Sequence, residues 1–334
     1  EFLTNFILKK ETYYLIKFIF AYMRVFTFLL FISLVSISTA QNNYSKEISL
    51  ISDNDLYTSL YRDGYYTNGF FITYRSVQKT DQDSPKKIYK FEVGHKMFTA
   101  SKSTLQFASL HDRPFAGYFY GGIGISRFYK KNNMFSTDIN FGVIGPNAKG
   151  EELQKFMHNI YNYPEPLGWK HQIQNAFALN FTASYLHYFP KMSSNKLDIS
   201  SYNFLKTGTV FTSISTGIYS RIGVKNLQPF SNSVAFHSNL NKKSTSHKES
   251  FIFIKPIIHY TFYDATIEGS FLNNTSPVTF DVMPFHFSME LGYRYYRKRF
   301  LYGYTFIYHT KKLQSLRAAK SNSYGSIYVG YYFN

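Results

Sequence analysis

The chain has 334 residues, 20% of them aromatic with 31 Tyr and 35 Phe, no Cys, and a net charge of +17. The missing Cys excludes a disulfide framework and any thiolate metal site, and the Tyr- and Phe-rich composition is that of β-strands. The basic excess is scattered in short runs such as KKNN, NKK and YRKRF, without the stripe or module of a nucleic-acid binder; no nucleic acid is expected, and the anionic partner expected is a phosphorylated lipid head group.

At the N-terminus, residues 23–40 (MRVFTFLLFISLVSISTA) place one Arg before an apolar core from Val25 to Val35 and end on Ser38, Thr39 and Ala40. This predicts a secretory signal peptide with cleavage before Gln41. Residues 1–22 precede Met23 and are expected to be an upstream segment outside the fold. A membrane anchor starting near Tyr13 is the alternative, but Lys17 and Arg24 interrupt it, and a span needs about 20 uninterrupted apolar residues. Residues 41–334 are then one domain.

Along that domain the dominant pattern is alternation. In FHFSMELGYRY, Phe285, Phe287, Met289, Leu291, Tyr293 and Tyr295 share one face, and His286, Ser288, Glu290, Gly292 and Arg294 the other. Such a period of two is a strand, long enough to cross a bilayer when tilted. Phe300 to Tyr308, Ile252 to Phe262 (opposing Lys255 and His259) and Ile327 to Phe333 repeat it. A soluble barrel points its apolar face inward and a transmembrane barrel points it at lipid. The export signal, the tyrosines and the strand lengths favour the membrane.

Candidate strands fall near 44–53, 65–78, 87–99, 115–130, 134–144, 172–189, 196–204, 208–222, 250–264, 281–297, 299–311 and 323–333. The fold class predicted is all-β: an antiparallel transmembrane β-barrel of about twelve strands, an even number that brings both ends to the periplasmic rim. Its last strand ends on Phe333 and Asn334, close to the terminal aromatic that outer-membrane barrels commonly present to the barrel assembly machinery. The connections 53–64, 100–114, 145–171, 223–249 and 265–280 are long, and the chemistry is expected on the rim that carries them.

The first of these opens with Asn54 and Asp55 and returns at Thr67. Two oxygen donors and a hydroxyl at a hairpin mouth can hold a hard cation such as Ca²⁺, although Asn, Asp and Gly also populate turns for conformational reasons. HDRPFAGYFYGG (111–122) is read as a strand-opening signal, not a site. In GVIGPNAKGEELQKFMH (142–158), Gly145 and Gly150 are followed by Glu151 and Glu152 where a phosphate loop needs Lys and Ser or Thr, so a nucleotide loop is rejected. The pattern is instead one short helix over the extracellular mouth. Its acids suit a helix N-terminus; Leu153, Met157, Ile160 and Tyr161 are expected to pack on the barrel wall; Gln154 and His158, four apart, project together beside them. His158 can serve as a general base, oriented or assisted by Gln154; a plain surface or capping role is the alternative. With no Gly-x-Ser-x-Gly elbow and no Cys, hydrolysis would have to use activated water.

The segments NDLYTSLYRDGYYTNG, DRPFAGYFYGG and GVIGPNAKGEELQKFMHNIYNYPEPLGWKHQI together resemble the outer-membrane lipid A 3'-O-deacylases of the LpxR type. The likeness spans essentially residues 41–334, and the GVIGP to GW block is its most specific part. It implies a twelve-stranded barrel in the bacterial outer membrane and a Ca²⁺-dependent esterase that removes the acyloxyacyl chain from the 3' position of lipid A, with lipopolysaccharide as substrate. Carried over by residue, Asn54 and Asp55 match the family's Asn-Asp pair, with Ca²⁺ at Asp55 and Asn54; Thr67 matches its hydroxyl; Gln154 and His158 match its helix pair. A Lys after the third strand contributes in that family, for which Lys102 is the candidate here and Lys96 the fallback. A Glu six residues after the His occurs in a characterised member; this chain has Pro164 there and Glu165 next to it. Two other classes remain open: a non-catalytic outer-membrane barrel serving as a pore or adhesion platform, and a phospholipase, which would ordinarily present a Ser nucleophile.

Overall fold

The computed structural model describes residues 44–58, 64–78, 85–241 and 248–334. The segment 1–22 and the signal peptide expected at 23–40 lie outside the described residues. Twelve strands follow one another: β1 (Lys46–Asn54), β2 (Tyr65–Val77), β3 (Lys86–Thr99), β4 (Ala116–Phe128), β5 (Met134–Ile144), β6 (Ala176–Tyr188), β7 (Leu197–Gly208), β8 (Phe211–Gly223), β9 (Lys248–Asp264), β10 (Phe285–Arg297), β11 (Phe300–Thr310) and β12 (Ser321–Phe333). Each pairs antiparallel with its neighbours in sequence, and β1 closes on β12 with Lys46 opposite Phe333 and Asn54 opposite Gly325. Closure leaves no edge strand, so every strand finds ladder partners on both sides.

Period-two alternation sorts the side chains as expected. Leu50, Phe91, Val93, Ile258, Phe285 and Leu291 stand exposed on the outside, while Glu47, Ser49, Thr73, Arg75 and Ser288 are buried on the inside. That is the inverted pattern of a barrel whose outer surface meets lipid. Among the described residues no helix is long and apolar enough to cross a membrane.

The rims differ from expectation in one respect. The strand directions put 55–58, 100–115, 145–175 and 265–284 on one rim, taken as extracellular, and both ends of the barrel on the other. The long segment after β8, expected among the former, belongs to the rim that carries the chain ends. Its described residues, 224–241, fold inward: Phe230, Val234 and Leu240 are fully buried and pack with the inward-facing Tyr219, Phe253, Tyr328 and Tyr332. Its anchor is Arg221, wholly buried in the lumen, which donates to Asp198 Oδ2 (2.5 Å), Ser233 Oγ (2.5 Å) and the Gln228 carbonyl (2.9 Å). Glu249 accepts from Ser233 Oγ and from the Val234 N–H, both at 2.8 Å. A loop of apolar residues therefore plugs the lower lumen, because there it can reach both an aromatic floor and a charged hub.

On the extracellular rim sit a three-turn helix, α1 (Gly150–Tyr161), and a single turn, α2 (Ala265–Glu268). The first turn of α1 leans on the outer face of the wall. His95 Nε2 donates to the Ala148 carbonyl at 2.8 Å, and a Cβ on Gly117 would lie 3.2 Å from Ala148 and from the Gly150 nitrogen. His95 and Gly117 share their strand faces with the exposed Val93 and Phe119, which look outward.

Candidate active site

The hairpin half of the site begins where β1 ends. Asn54 turns its side chain back, and its Oδ1 accepts from the Leu56 N–H at 2.7 Å, capping a 3₁₀ turn over Asp55–Tyr57. This turn buries Asp55, whose Oδ2 accepts from the Gly64 N–H at 2.6 Å. Gly64 lies against the next loop; a Cβ there would meet the Ser101 Cα at 2.9 Å.

Thr67 is the extra residue of a β-bulge: Tyr66 pairs with Phe98 and Asn68 with Met97, so Thr67 has no opposite number. Bulges re-aim side chains next to functional sites. Here the bulge sends the Tyr66 hydroxyl to Asp53 Oδ2 (2.8 Å) and places Thr67 Oγ1 2.6 Å from Thr99 Oγ1. Thr99 gives its own proton to the Ala100 carbonyl at 3.1 Å, so the Thr67 hydroxyl donates and keeps its lone pairs. The DRPF stretch braces this corner. Asp112 accepts from the Tyr65 hydroxyl (2.8 Å) and the Ser101 N–H (2.9 Å), and Arg113 reaches Thr266 Oγ1 (2.7 Å) across the rim. Its neighbour His111, bonded to the Leu105 carbonyl, is pushed by burial below the usual imidazole range and is neutral at pH 7.

The helix half is built from α1 and the turn after it. Gly145, at φ +98°, makes a bend against the backbone of Gln174 and Asn175, so close that a Cβ on Gly145 would lie 2.7 Å from both. Gly150 lets the indole of Trp169 approach, since a Cβ would lie 2.5 Å from its Cη2. Trp169 is fully buried with Met97, Ala100 and Phe115, and its Nε1–H donates to Gln154 Oε1 at 2.5 Å. Two turns after Gln154, α1 ends at Asn162 in the left-handed conformation. The chain reverses, and the Pro164 carbonyl accepts from His158 Nδ1 at 2.5 Å, which fixes the proton on that nitrogen and turns Nε2 into the basic one. Gln154 and His158 are both buried, and the two halves of the site share Ala100, which follows Thr99 and packs on Trp169.

The helix corrects one expectation. Leu153 and Met157 are half-buried, but Ile160 is 55% exposed, as is Phe156 at 60%, so the buried face is the polar pair. The Tyr161 side chain lies outside the described residues. A helix at the outer rim of a membrane barrel can face lipid on its far side, where Phe156 and Ile160 carry no penalty, while Gln154 and His158 turn to the protein. The exposed acids of α1 form ordinary surface pairs: Glu152 with Lys149, which lowers the Glu152 pKa, and Lys155 with both Glu151 (2.9 Å) and Glu165 (3.1 Å), which raise that of Lys155.

Glu165 thus points at Lys155, and at the position six after His158 it is the backbone of Pro164, not a carboxylate, that holds the imidazole. The two lysines separate. Lys102 is exposed on the rim loop between Ser101, which bonds Asp112, and Ser103, whose carbonyl accepts from the Gly168 N–H at 3.2 Å beside Trp169. Lys96 points into the lumen, its Nζ 5.8 Å from the Phe71 ring, on the opposite side of the wall from α1. Trp169, Thr99 and the Pro164 carbonyl are not singled out by the sequence. The one signal for Trp169 is that it is the only Trp of the chain, set after Gly168.

Asn54 and Asp55 offer oxygen donors alone, which fits a hard cation such as Ca²⁺ and not a thiolate or imidazole metal. Among the described residues no three His, Asp or Glu side chains converge on a metal position.

Comparison with known proteins agrees with this architecture. The family described as outer membrane protein LpxR matches residues 25–333. No curated protein matches the chain. Among solved structures, LpxR from Salmonella typhimurium is similar with a TM-score of 0.67 at 16% identity, covering 86% of this chain and 100% of that one. The β domain of the Bordetella autotransporter BrkA (TM-score 0.42, 7% identity, 86% and 98% covered) and the KdgM porin in complex with disordered oligogalacturonate (0.39, 8%, 86% and 99%) follow at a distance. With its family match spanning nearly the whole chain and its twelve strands closed as a barrel, this protein belongs to the outer membrane protein LpxR family.

Proposed function

We propose that the protein is a carboxylic ester hydrolase of the outer leaflet, removing the 3'-O-linked acyloxyacyl chain of lipid A. The observation that carries this reading is the His158 imidazole, buried between α1 and the outer wall with Nδ1 engaged by the Pro164 carbonyl. A base so placed works on the side of the wall that faces lipid, where an ester-bearing lipid would lie, and not in the lumen.

In this mechanism His158 Nε2 takes a proton from water as the water oxygen attacks the ester carbonyl. The resulting imidazolium returns the proton to the departing sugar oxygen, giving a free acyloxyacyl acid and a 3'-hydroxyl. Gln154 is fixed by Trp169 through Oε1, so its amide N–H₂ is the group left to orient water or substrate. Thr67, through the lone pairs its hydroxyl keeps, accepts from the attacking water, Asn54 positions the carbonyl through its side-chain N–H₂, and Lys102 on the rim loop meets the anionic head of the substrate. Bound at Asn54 and Asp55, Ca²⁺ supplies a positive charge that stabilises the negative charge developing on the carbonyl oxygen.

The test is mass spectrometry of lipid A incubated with the purified chain in Ca²⁺ or in chelator. The expected result is loss of one acyloxyacyl unit in Ca²⁺ alone, and intact lipid A with Asp55→Asn even in Ca²⁺. Unaltered lipid A beside well-folded wild-type protein contradicts the reading and favours a barrel without catalysis.

A further inference from the structure

Above the plug the lumen holds an open cavity of about 420 Å³ that α1 does not enter. Its charges do not balance. Of the three carboxylates lining it, Asp53 accepts from Tyr66 at 2.8 Å, Glu290 pairs with Lys255 at 2.8 Å, and Asp264 caps α2 through the Thr266 N–H at 2.9 Å. Lys96, Lys206 and Lys312 line the same cavity, and among the described residues none of them has a carboxylate within ion-pair distance. Lys96 and Lys206 share one ring, lying 5.8 and 5.9 Å from the centroid of Phe211.

Two of the three imidazoles beside them are also incompletely used. His259 bonds the Ser215 and Ser288 hydroxyls through its two nitrogens, at 2.9 and 2.8 Å, and stacks on His286 at 4.5 Å. Nδ1 of His286 and Nδ1 of His309 are buried without a hydrogen-bond partner. Buried polar groups are normally satisfied, and unmatched cations held together out of bulk water repel one another. A ligand that answers both needs several anionic oxygens on one centre, so that one molecule meets two or three amines and an imidazole; a single carboxylate does not. The cavity is lined by the extracellular-rim residues Tyr65, Arg113, Ile267 and Lys312 and by no residue of the plug, so the route open to a ligand is the extracellular mouth.

We propose that this vestibule is a binding site for a phosphate-bearing anion, held by Lys206 and Lys312 with Lys96 behind them. It is separate from the ester-hydrolysing site, on the other side of the barrel wall, and does not depend on that reading.

The experiment is calorimetric titration of the full chain in detergent micelles with inorganic pyrophosphate, and separately with mixed micelles containing phosphatidic acid. Saturable pyrophosphate binding, weakened tenfold or more in Lys206→Met/Lys312→Met and unchanged in His158→Ala, supports a soluble source of the phosphate. Lysine-dependent binding of phosphatidic acid alone supports a lipid-borne source. Lys312→Met by itself, at a position outside the strands, guards against misfolding and should weaken binding threefold or more. No binding of either probe by wild type, or binding indifferent to both lysines, overturns the proposal.

Discussion

The indole of Trp169 donates its N–H to the side-chain oxygen of Gln154 at 2.5 Å, joining the turn after α1 to the residue one helical turn before His158. The bond settles which end of the Gln154 amide is available for other work. Trp169→Phe keeps most of the packing with Phe115 but leaves a buried oxygen without its donor, a cost of about 1–3 kcal/mol. The expected outcome is a fall in kcat/KM for ester cleavage larger than that of a Leu105→Ala control, with the barrel still folded and its melting transition lowered by no more than that cost implies. Equal activity in Trp169→Phe would show that Gln154 does not need this orientation.

Arg221 ties the plug to the wall. Its guanidinium is fully buried between Asp198 and Glu249, and Arg221→Met strands those two carboxylates, which for a buried pair costs about 3–5 kcal/mol. The rest of the barrel ladder does not involve the plug. Planar-bilayer recordings should therefore show larger or more frequent conductance steps for Arg221→Met than for wild type, with ester cleavage retained. A silent variant would mean that the plug holds without its hub.

Lys312, beyond the end of β11, gives the vestibule a pH dependence. Burial, with Arg113 and Lys96 nearby, lowers its pKa to about 8, while Asp264 acts the other way; Lys206, His259, His286 and His309 face the same space. Because the folded value lies below the usual lysine value, the charged form is the disfavoured one in the folded protein. That destabilisation is present below pH 8 and fades as pH rises toward the unfolded value. An anion reverses the preference, so pyrophosphate affinity should rise as pH falls from 9 to 7, and Lys312→Met should flatten that rise in the same titration.

The strand pattern is legible because polar and apolar residues alternate along each wall strand, and all twelve strands lie where the alternation puts them. What escapes the sequence has physical causes. The plug residues Phe230, Val234 and Leu240 follow no period, so nothing in their order tells an inward loop from an extracellular one. The orientation of α1 departs from expectation because the rule that apolar residues turn to the protein fails beside lipid, which is why Ile160 is exposed and Gln154 is not. The bulge at Thr67 is a matter of register with β3, invisible in β2 alone. The candidate pair Gln154 and His158 is legible from helical spacing. The groups that hold them, Trp169 and the Pro164 carbonyl, come from the next turn of chain, and a backbone carbonyl leaves no mark in a sequence.

In the proposed mechanism His158, held at Nδ1 by the Pro164 carbonyl, is the base that cleaves an ester of lipid A. The most direct measurement is the mass of lipid A extracted from outer membranes that carry either the wild-type chain or His158→Ala at equal abundance. General-base catalysis contributes about 10²–10⁴-fold, so lipid A should be lighter by one acyloxyacyl unit with wild type and full-length with His158→Ala. The same shortened lipid A from both chains, or from neither, would contradict it.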